Sequence, residues 1–200
     1  MKAREAELDH PFWGKKIDFL KPVVVPGGSD SAGLDNALEL LVQSGRSLIH
    51  SMMMLVTEAW ENMPQMDPDW KAFYQYHSCL IEPWDGPAAL AFTDGRFVGA
   101  ALDRNGLRPA RYIVTKDGMI LMSSEVGVID IPDTLVKEKG RLGPGQLIVV
   151  DLANGKLIHD LEAKKEIVHR APYGEWLKKN LFHPNAQEPQ GNGKWKDGVS

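Results

Sequence analysis

Ala88-Ala89-Leu90-Ala91-Phe92-Thr93-Asp94-Gly95-Arg96-Phe97-Val98-Gly99-Ala100-Ala101-Leu102 is the stretch that decides the fold class of this chain. Two short apolar runs, Ala88 to Phe92 and Phe97 to Leu102, flank an Asp-Gly dipeptide. Asp-Gly between such runs is a strong local signal for an antiparallel hairpin, because glycine takes the positive-φ turn position without steric cost. The pattern recurs downstream. Tyr112 to Val114 and Met119 to Met122 flank Asp117-Gly118, and Leu147 to Asp151 and Lys156 to Ile158 flank Asn154-Gly155. The second half therefore reads as a meandering antiparallel sheet.

Upstream the period changes from two to that of helices. Pro22-Val23-Val24-Val25-Pro26 predicts a short extended segment, and the polar turn Gly27-Gly28-Ser29-Asp30-Ser31 leads into Leu34, Leu38 and Leu41, spaced for one helix face and stopped at Gly45. A second helix carries Leu48, Met52 and Leu55 beside Ile49, Met53 and Val56, a face wide enough to be buried, and should run to Asn62-Met63-Pro64. Asp67-Pro68-Asp69 supplies a cap, a first-turn proline and a first-turn acid for a third helix towards Tyr76. Helices beside an antiparallel sheet predict a layered α+β domain. We divide the chain into a lead-in over 1–20, a domain over 21–172, and a linker or disordered tail over 173–200, with a short helix within 174–179.

Composition narrows the function. With 43% apolar and 25% charged residues, 200 residues support an ordinary packed core. Lys and Arg number 23 against 27 Asp and Glu, so the basic excess that phosphate-backbone binding needs is missing and nucleic acid is not an expected partner. The most apolar stretch, Leu48 to Val56, is too short to span a bilayer and carries His50 and Ser51. The charged opening residues do not resemble a secretion signal, so the expected compartment is inside the cell. One cysteine, Cys79, excludes an internal disulfide or a multi-cysteine metal site, and the histidines show no ligand spacing.

Three segments could carry chemistry. At the helix start, Gly28-Ser29-Asp30-Ser31-Ala32 offers backbone N–H groups to a carboxylate and Asp30 to an ammonium group, a grip for an amino acid. The plainer reading is that Asp30 or Ser31 caps the helix. Leu102-Asp103-Arg104-Asn105-Gly106-Leu107-Arg108-Pro109 places Arg104 and Arg108 in a loop, for carboxylate contacts or simply for solvent. Cys79 beside His77 invites a thiolate pair, but the preferred reading is a buried, inert thiol, and Trp70, Phe73, Tyr74 and Tyr76 read as packing surface.

Taken in order, these pieces resemble the class II glutamine amidotransferase domain of the glutamate synthase large subunit. The resemblance is carried by Gly28-Ser29-Asp30-Ser31-Ala32, Gly45-Arg46-Ser47-Leu48, Glu58-Ala59-Trp60, Glu82-Pro83-Trp84-Asp85-Gly86-Pro87, Leu102-Asp103-Arg104-Asn105-Gly106-Leu107-Arg108-Pro109 and Gly140-Arg141-Leu142-Gly143-Pro144-Gly145. It implies part of the four-layer αββα sandwich of the N-terminal-nucleophile hydrolases, with antiparallel sheets and one helical layer. It also implies a reaction: an N-terminal cysteine, with the terminal amine as base, attacks the side-chain amide of glutamine, ammonia leaves, and water resolves the glutamyl thioester. The ammonia then serves reductive amination of 2-oxoglutarate to glutamate with FMN and an iron–sulfur cluster, neither expected in this chain.

By the same resemblance, Asp30 holds the α-amino group of glutamine. No catalytic residue is matched. An N-terminal cysteine is not found, the oxyanion Asn-Gly pair has no counterpart between Met1 and Pro26, and Asn105-Gly106 belongs to a different motif. The expectation is a piece of a longer glutamate synthase chain, inactive alone and needing the missing N-terminal segment and the synthase domains. The alternatives are a non-catalytic glutamine-binding or docking module, and an intact hydrolase using Cys79. Cytoplasm is the expected location, and a plastid parent fits equally well.

Overall fold

The Asp94-Gly95 turn forms as read. In the computed structural model, which describes residues 5–6 and 8–182, β1 (Ala89–Thr93) and β2 (Phe97–Leu102) pair antiparallel around Gly95, whose φ is 87°. β6 (Leu147–Asp151) lies beside β2, and β7 (Lys156–His159) beside β6, in the order β1-β2-β6-β7. The remaining strands form a second sheet: β3 (Arg111–Thr115) lies between β4 (Ile120–Ser123) and β5 (Val136–Arg141). The single meander predicted from the turns is thus split into two antiparallel sheets.

Alternation along the strands sets the layers. On one face of the larger sheet, Phe92, Ala101, Leu147, Val149 and Ile158 join the main core with the helices; on the other, Ala100, Leu102 and Ile148 join Ala110 and Leu142 in a smaller core towards the second sheet. The order is helices, four strands, three strands, and the α+β expectation is met. An aromatic covers a glycine directly opposite it in each sheet. Phe92 lies over Gly99, where a Cβ would sit 2.5 Å from the ring, and Tyr112 lies over Gly140 in the same way.

The helical layer contains α1 (Ile17–Leu20), α2 (Asp30–Gln43), α3 (Leu48–Leu55), α4 (Pro68–Ser78), α5 (Asp160–Val168) and α6 (Tyr173–Asn180). Asp67 caps α4 by accepting the Asp69 N–H at 2.8 Å, ahead of Pro68 in the first turn. α3 stops seven residues earlier than the Asn62 expected, because the Leu55 carbonyl accepts the Trp84 N–H at 2.6 Å and the chain turns away at Val56. The helix expected within 174–179 is α6; it packs on α4 with Tyr173 buried, so this part of the expected tail belongs to the core. The remainder of the tail, 183–200, lies outside the described residues, as do residues 1–4 and 7 of the lead-in.

β5 and α5 carry no clear sequence signal, for a physical reason. In β5, inward positions are held by Glu138, whose carboxylate accepts the Tyr112 hydroxyl at 2.7 Å, and by Gly140 under the Tyr112 ring. In α5, a lysine occupies a core position: Lys164 is 1% exposed. Both elements look polar because their inward polar groups find partners distant in sequence, Tyr112 for Glu138 and Glu58 with Gly145 for Lys164.

Candidate functional site

Asp30 opens α2 without capping it. Ser29 is the cap: its Oγ accepts the Ala32 N–H at 3.2 Å and lies 3.1 Å from Ser31 Oγ. That corrects the assignment of the cap to Asp30 or Ser31. Gly28 donates its N–H to Val25 O at 3.0 Å, and Asn36 Nδ2 donates to Val23 O at 2.9 Å, so the extended segment is tied to the helix it precedes. The Asp30 carboxylate is exposed and makes no hydrogen bond or ion pair among the described residues. It stands outside the cavity of about 250 Å³ that this segment forms with α2, whose walls include Trp13, Val23, Asn36 and Leu40. An anionic group beside free helix-start amides suits a zwitterion, the ammonium on the carboxylate and the carboxylate on the amides.

The loop that carries Arg104 and Arg108 is organised by Asp103, which is 1% exposed. Its carboxylate accepts the N–H groups of Ala88 at 3.0 Å and Asn105 at 2.9 Å, while its carbonyl accepts those of Gly106 at 3.0 Å and Gly145 at 2.8 Å. A Cβ on Gly106 would sit 2.9 Å from the Pro144 ring, so the Asn105-Gly106 and Pro144-Gly145 turns are stacked. Gly145 in turn approaches Glu58, where a Cβ would be 2.8 Å from Cγ. Below it, the Lys164 ammonium contacts Glu58, Asp160 Oδ1 at 2.7 Å and the Gly145 carbonyl at 3.0 Å. Three donors meet three acceptors, which is what a buried ammonium requires. Arg104 is engaged with Asp85 at 3.0 Å, whereas Arg108 is exposed.

Cys79 ends α4 and is exposed, so the expectation of a buried thiol is corrected; its Sγ lies 3.4 Å from the Gln75 carbonyl. His77 turns the other way, into the core. Its Nδ1 lies 2.8 Å from Phe73 O and its Nε2 lies 2.9 Å from His50 Nε2. A carbonyl only accepts, so Nδ1 of His77 carries the proton, its Nε2 is the acceptor, and His50 donates from Nε2. Burial then depresses both imidazoles, His77 to about 3 and His50 to about 4, with the Arg46 and Arg170 charges adding to the effect at His50. Both nitrogens of His77 are committed, and no thiolate pair forms.

Residues 1–176 match the family model of class-II glutamine amidotransferases. The chain belongs to that family. It is 51% identical over 181 residues to ferredoxin-dependent glutamate synthase 2 of Synechocystis sp., an alignment covering 89% of this chain and 12% of that protein. It is 48% identical over 185 residues to the large chain of the Bacillus subtilis NADPH glutamate synthase, covering 92% and 12% respectively. The chloroplastic ferredoxin-dependent glutamate synthase 2 of Arabidopsis thaliana is 48% identical over 184 residues, covering 90% and 11%. The chain therefore spans about an eighth of the length of these relatives.

Sequence reasoning did not find the Glu58–Asp160–Lys164 cluster or the His50–His77 pair. Glu58 lies 106 residues from Lys164 and His50 lies 27 from His77, and the i,i+4 spacing of Asp160 and Lys164 does not by itself mark a buried pair. Among the described residues no group of three or more His, Cys, Asp or Glu is placed to hold a metal ion, and a single cysteine does not fit a cysteine-ligated iron–sulfur cluster. No described helix is long and apolar enough to cross a membrane.

Proposed function

We propose that this chain is the glutamine-gripping part of the ammonia-generating domain of a glutamate synthase. Asp30 holds the α-ammonium group of glutamine, and the first-turn amides of α2 receive its carboxylate. The cysteine nucleophile and the oxyanion donors come from other parts of a longer polypeptide, and the released ammonia passes to a site that aminates 2-oxoglutarate with FMN and an iron–sulfur cluster held in other domains. The observation that carries this reading is the uncommitted Asp30 carboxylate at the helix start, in a chain about half identical to glutamate synthases.

Two features of the sheets support a larger domain. The outer strands β1 and β4 read Ala-Leu-Ala-Phe-Thr and Ile-Leu-Met-Ser, uncharged sequences that an edge facing water usually avoids. Between the sheets, a cleft of about 380 Å³ is lined by Ala91, Val98, Ile120, Met122, Ile148 and Val150 among others. Further strands of the same domain would cover both.

The test is glutaminase turnover and glutamine calorimetry on the purified chain, alone and co-expressed with the nucleophile-bearing part of a relative's domain. Turnover is expected only in the combination, and Asp30→Asn should raise its KM for glutamine by about 10- to 100-fold, the scale of a lost charge-assisted hydrogen bond. Turnover by the chain alone that Cys79→Ala abolishes would overturn the reading.

A further inference from the structure

The outward face of the three-stranded sheet carries a charge pattern that the packing of the sheet does not require. Alternation sends Tyr112, Glu138 and Gly140 towards the smaller core, so Arg111 on β3 and Lys137, Lys139 and Arg141 on β5 point the other way, and all are exposed. Arg111 and Arg141 are register partners, directly opposite each other on adjacent antiparallel strands. Like charges so placed repel, and neither guanidinium has a hydrogen bond or ion pair among the described residues. Of the nearby acids, Asp133 is taken by Lys139 at 2.6 Å, and Glu125, in the loop after β4, leaves the arginine pair unneutralised. The chain as a whole has a formal charge of -4, so this face runs against the rest of the surface.

Edge protection accounts for part of this pattern. β5 is an outer strand, and lysines there discourage pairing with another chain. It does not account for Arg111, which lies on the central strand opposite Arg141. Apolar surface lies among the cations and beside them. Ile113 and Leu121 are register partners in the next row and only half-buried, and a groove of about 120 Å³ is lined by both, by Arg111 and Lys139, and by Val126 in the exposed loop after β4. A small oxyanion would neutralise the arginines and leave that apolar surface in water. A polypeptide segment with carboxylates beside an apolar side chain complements both.

We propose that the outward face of β3 and β5 docks an acidic polypeptide segment. One carboxylate of that segment bridges Arg111 and Arg141, and an apolar side chain next to it enters the groove against Ile113, Leu121 and Val126. The surface is separate from the Asp30 end of α2, and the inference does not depend on the glutaminase reading.

The experiment measures, by fluorescence anisotropy, binding of a labelled synthetic peptide that alternates Glu and Leu to the purified chain, with backbone amide resonances followed in parallel. Saturable binding that weakens with added salt is expected, with shifts at Arg111, Val126 and Arg141, and with no comparable binding when Lys replaces Glu or Ser replaces Leu in the peptide. Arg141→Gln should weaken binding roughly tenfold, the scale of a lost charge-assisted hydrogen bond. The same change should leave the thermal midpoint of the unbound chain unchanged or higher, because it relieves the repulsion with Arg111. Lys178→Gln, at an exposed lysine on α6, should leave binding unchanged. The docking surface is overturned if the Glu-Leu peptide does not bind, if it binds Arg141→Gln equally well, or if that variant has a lower midpoint, which would make the arginine structural. Shifts of equal size at the same residues from inorganic phosphate or oligothymidylate, or self-association of the chain through this face, would overturn it as well.

Discussion

The two faces of this molecule are held in different ways. On the helical side, Phe73, Tyr74 and Met52 to Met54 are almost fully buried, and the layer also encloses a lysine, two carboxylates and an imidazole pair, each with partners. The three-stranded side has a small core, and its loop after β4 exposes Val126 at 76%, Val128 at 61% and Ile129 at 49%. The difference shows where charge can be buried. A dense surround fixes every donor on an acceptor, and one missing partner is then costly, whereas on a thinly covered sheet a side chain already faces water and little is lost by changing it.

The strongest way to break this contrast is Lys164→Met. The Glu58 and Asp160 side chains, 15% and 13% exposed, would keep their charges without the ammonium, and the Gly145 carbonyl would lose a donor. Removing one member of such a buried network costs about 3–5 kcal/mol. Urea unfolding should show that loss, and a loss under about 1 kcal/mol would mean the cluster is solvated.

A second test uses pH. Both imidazoles titrate lower in the folded chain than the ordinary value near 6.5, so they are neutral when folded. The unfolded chain gains protons as pH falls below about 6.5 while the folded chain does not, so this contribution to stability is complete above that pH and declines below it, by up to about 1.4 kcal/mol per pH unit for each imidazole. Urea midpoints between pH 7 and pH 5 should fall accordingly. His77→Gln should flatten that decline while being less stable at pH 7; an unchanged slope would place the proton uptake elsewhere.

The smallest expected effect is on the thin side. Val126→Ser should change stability by no more than about 0.5 kcal/mol, because the side chain is mostly in water already. A loss near 2 kcal/mol in the isolated chain would show that this loop is covered, and would erase the contrast drawn above.

Much of the local structure was legible. The Asp94-Gly95, Asp117-Gly118 and Asn154-Gly155 turns separate strands as their chemistry demands, and the Asp67-Pro68 start of α4 forms as read. Asp30 was singled out from its motif, and the structure leaves its carboxylate available, although the cap beside it is Ser29. Cys79 was misjudged, because an apolar preference says nothing about which way a helix end faces, and the C-cap of α4 is presented to solvent while His77 points inward.

The sequence by itself determined the class of structure, the turns, the Asp67 cap of α4 and the family, since each depends on residues within a few positions of one another or on their order along the chain. Tertiary structure alone decided that the strands divide into two sheets, that α3 ends at Leu55 on the Trp84 N–H, that a lysine sits at a core position of α5, and that His50 and His77 share one proton. Those outcomes depend on satisfying buried polar groups across long separations. A buried donor takes whichever acceptor the packed fold brings within 3 Å, and spacing along the chain does not encode which one that will be.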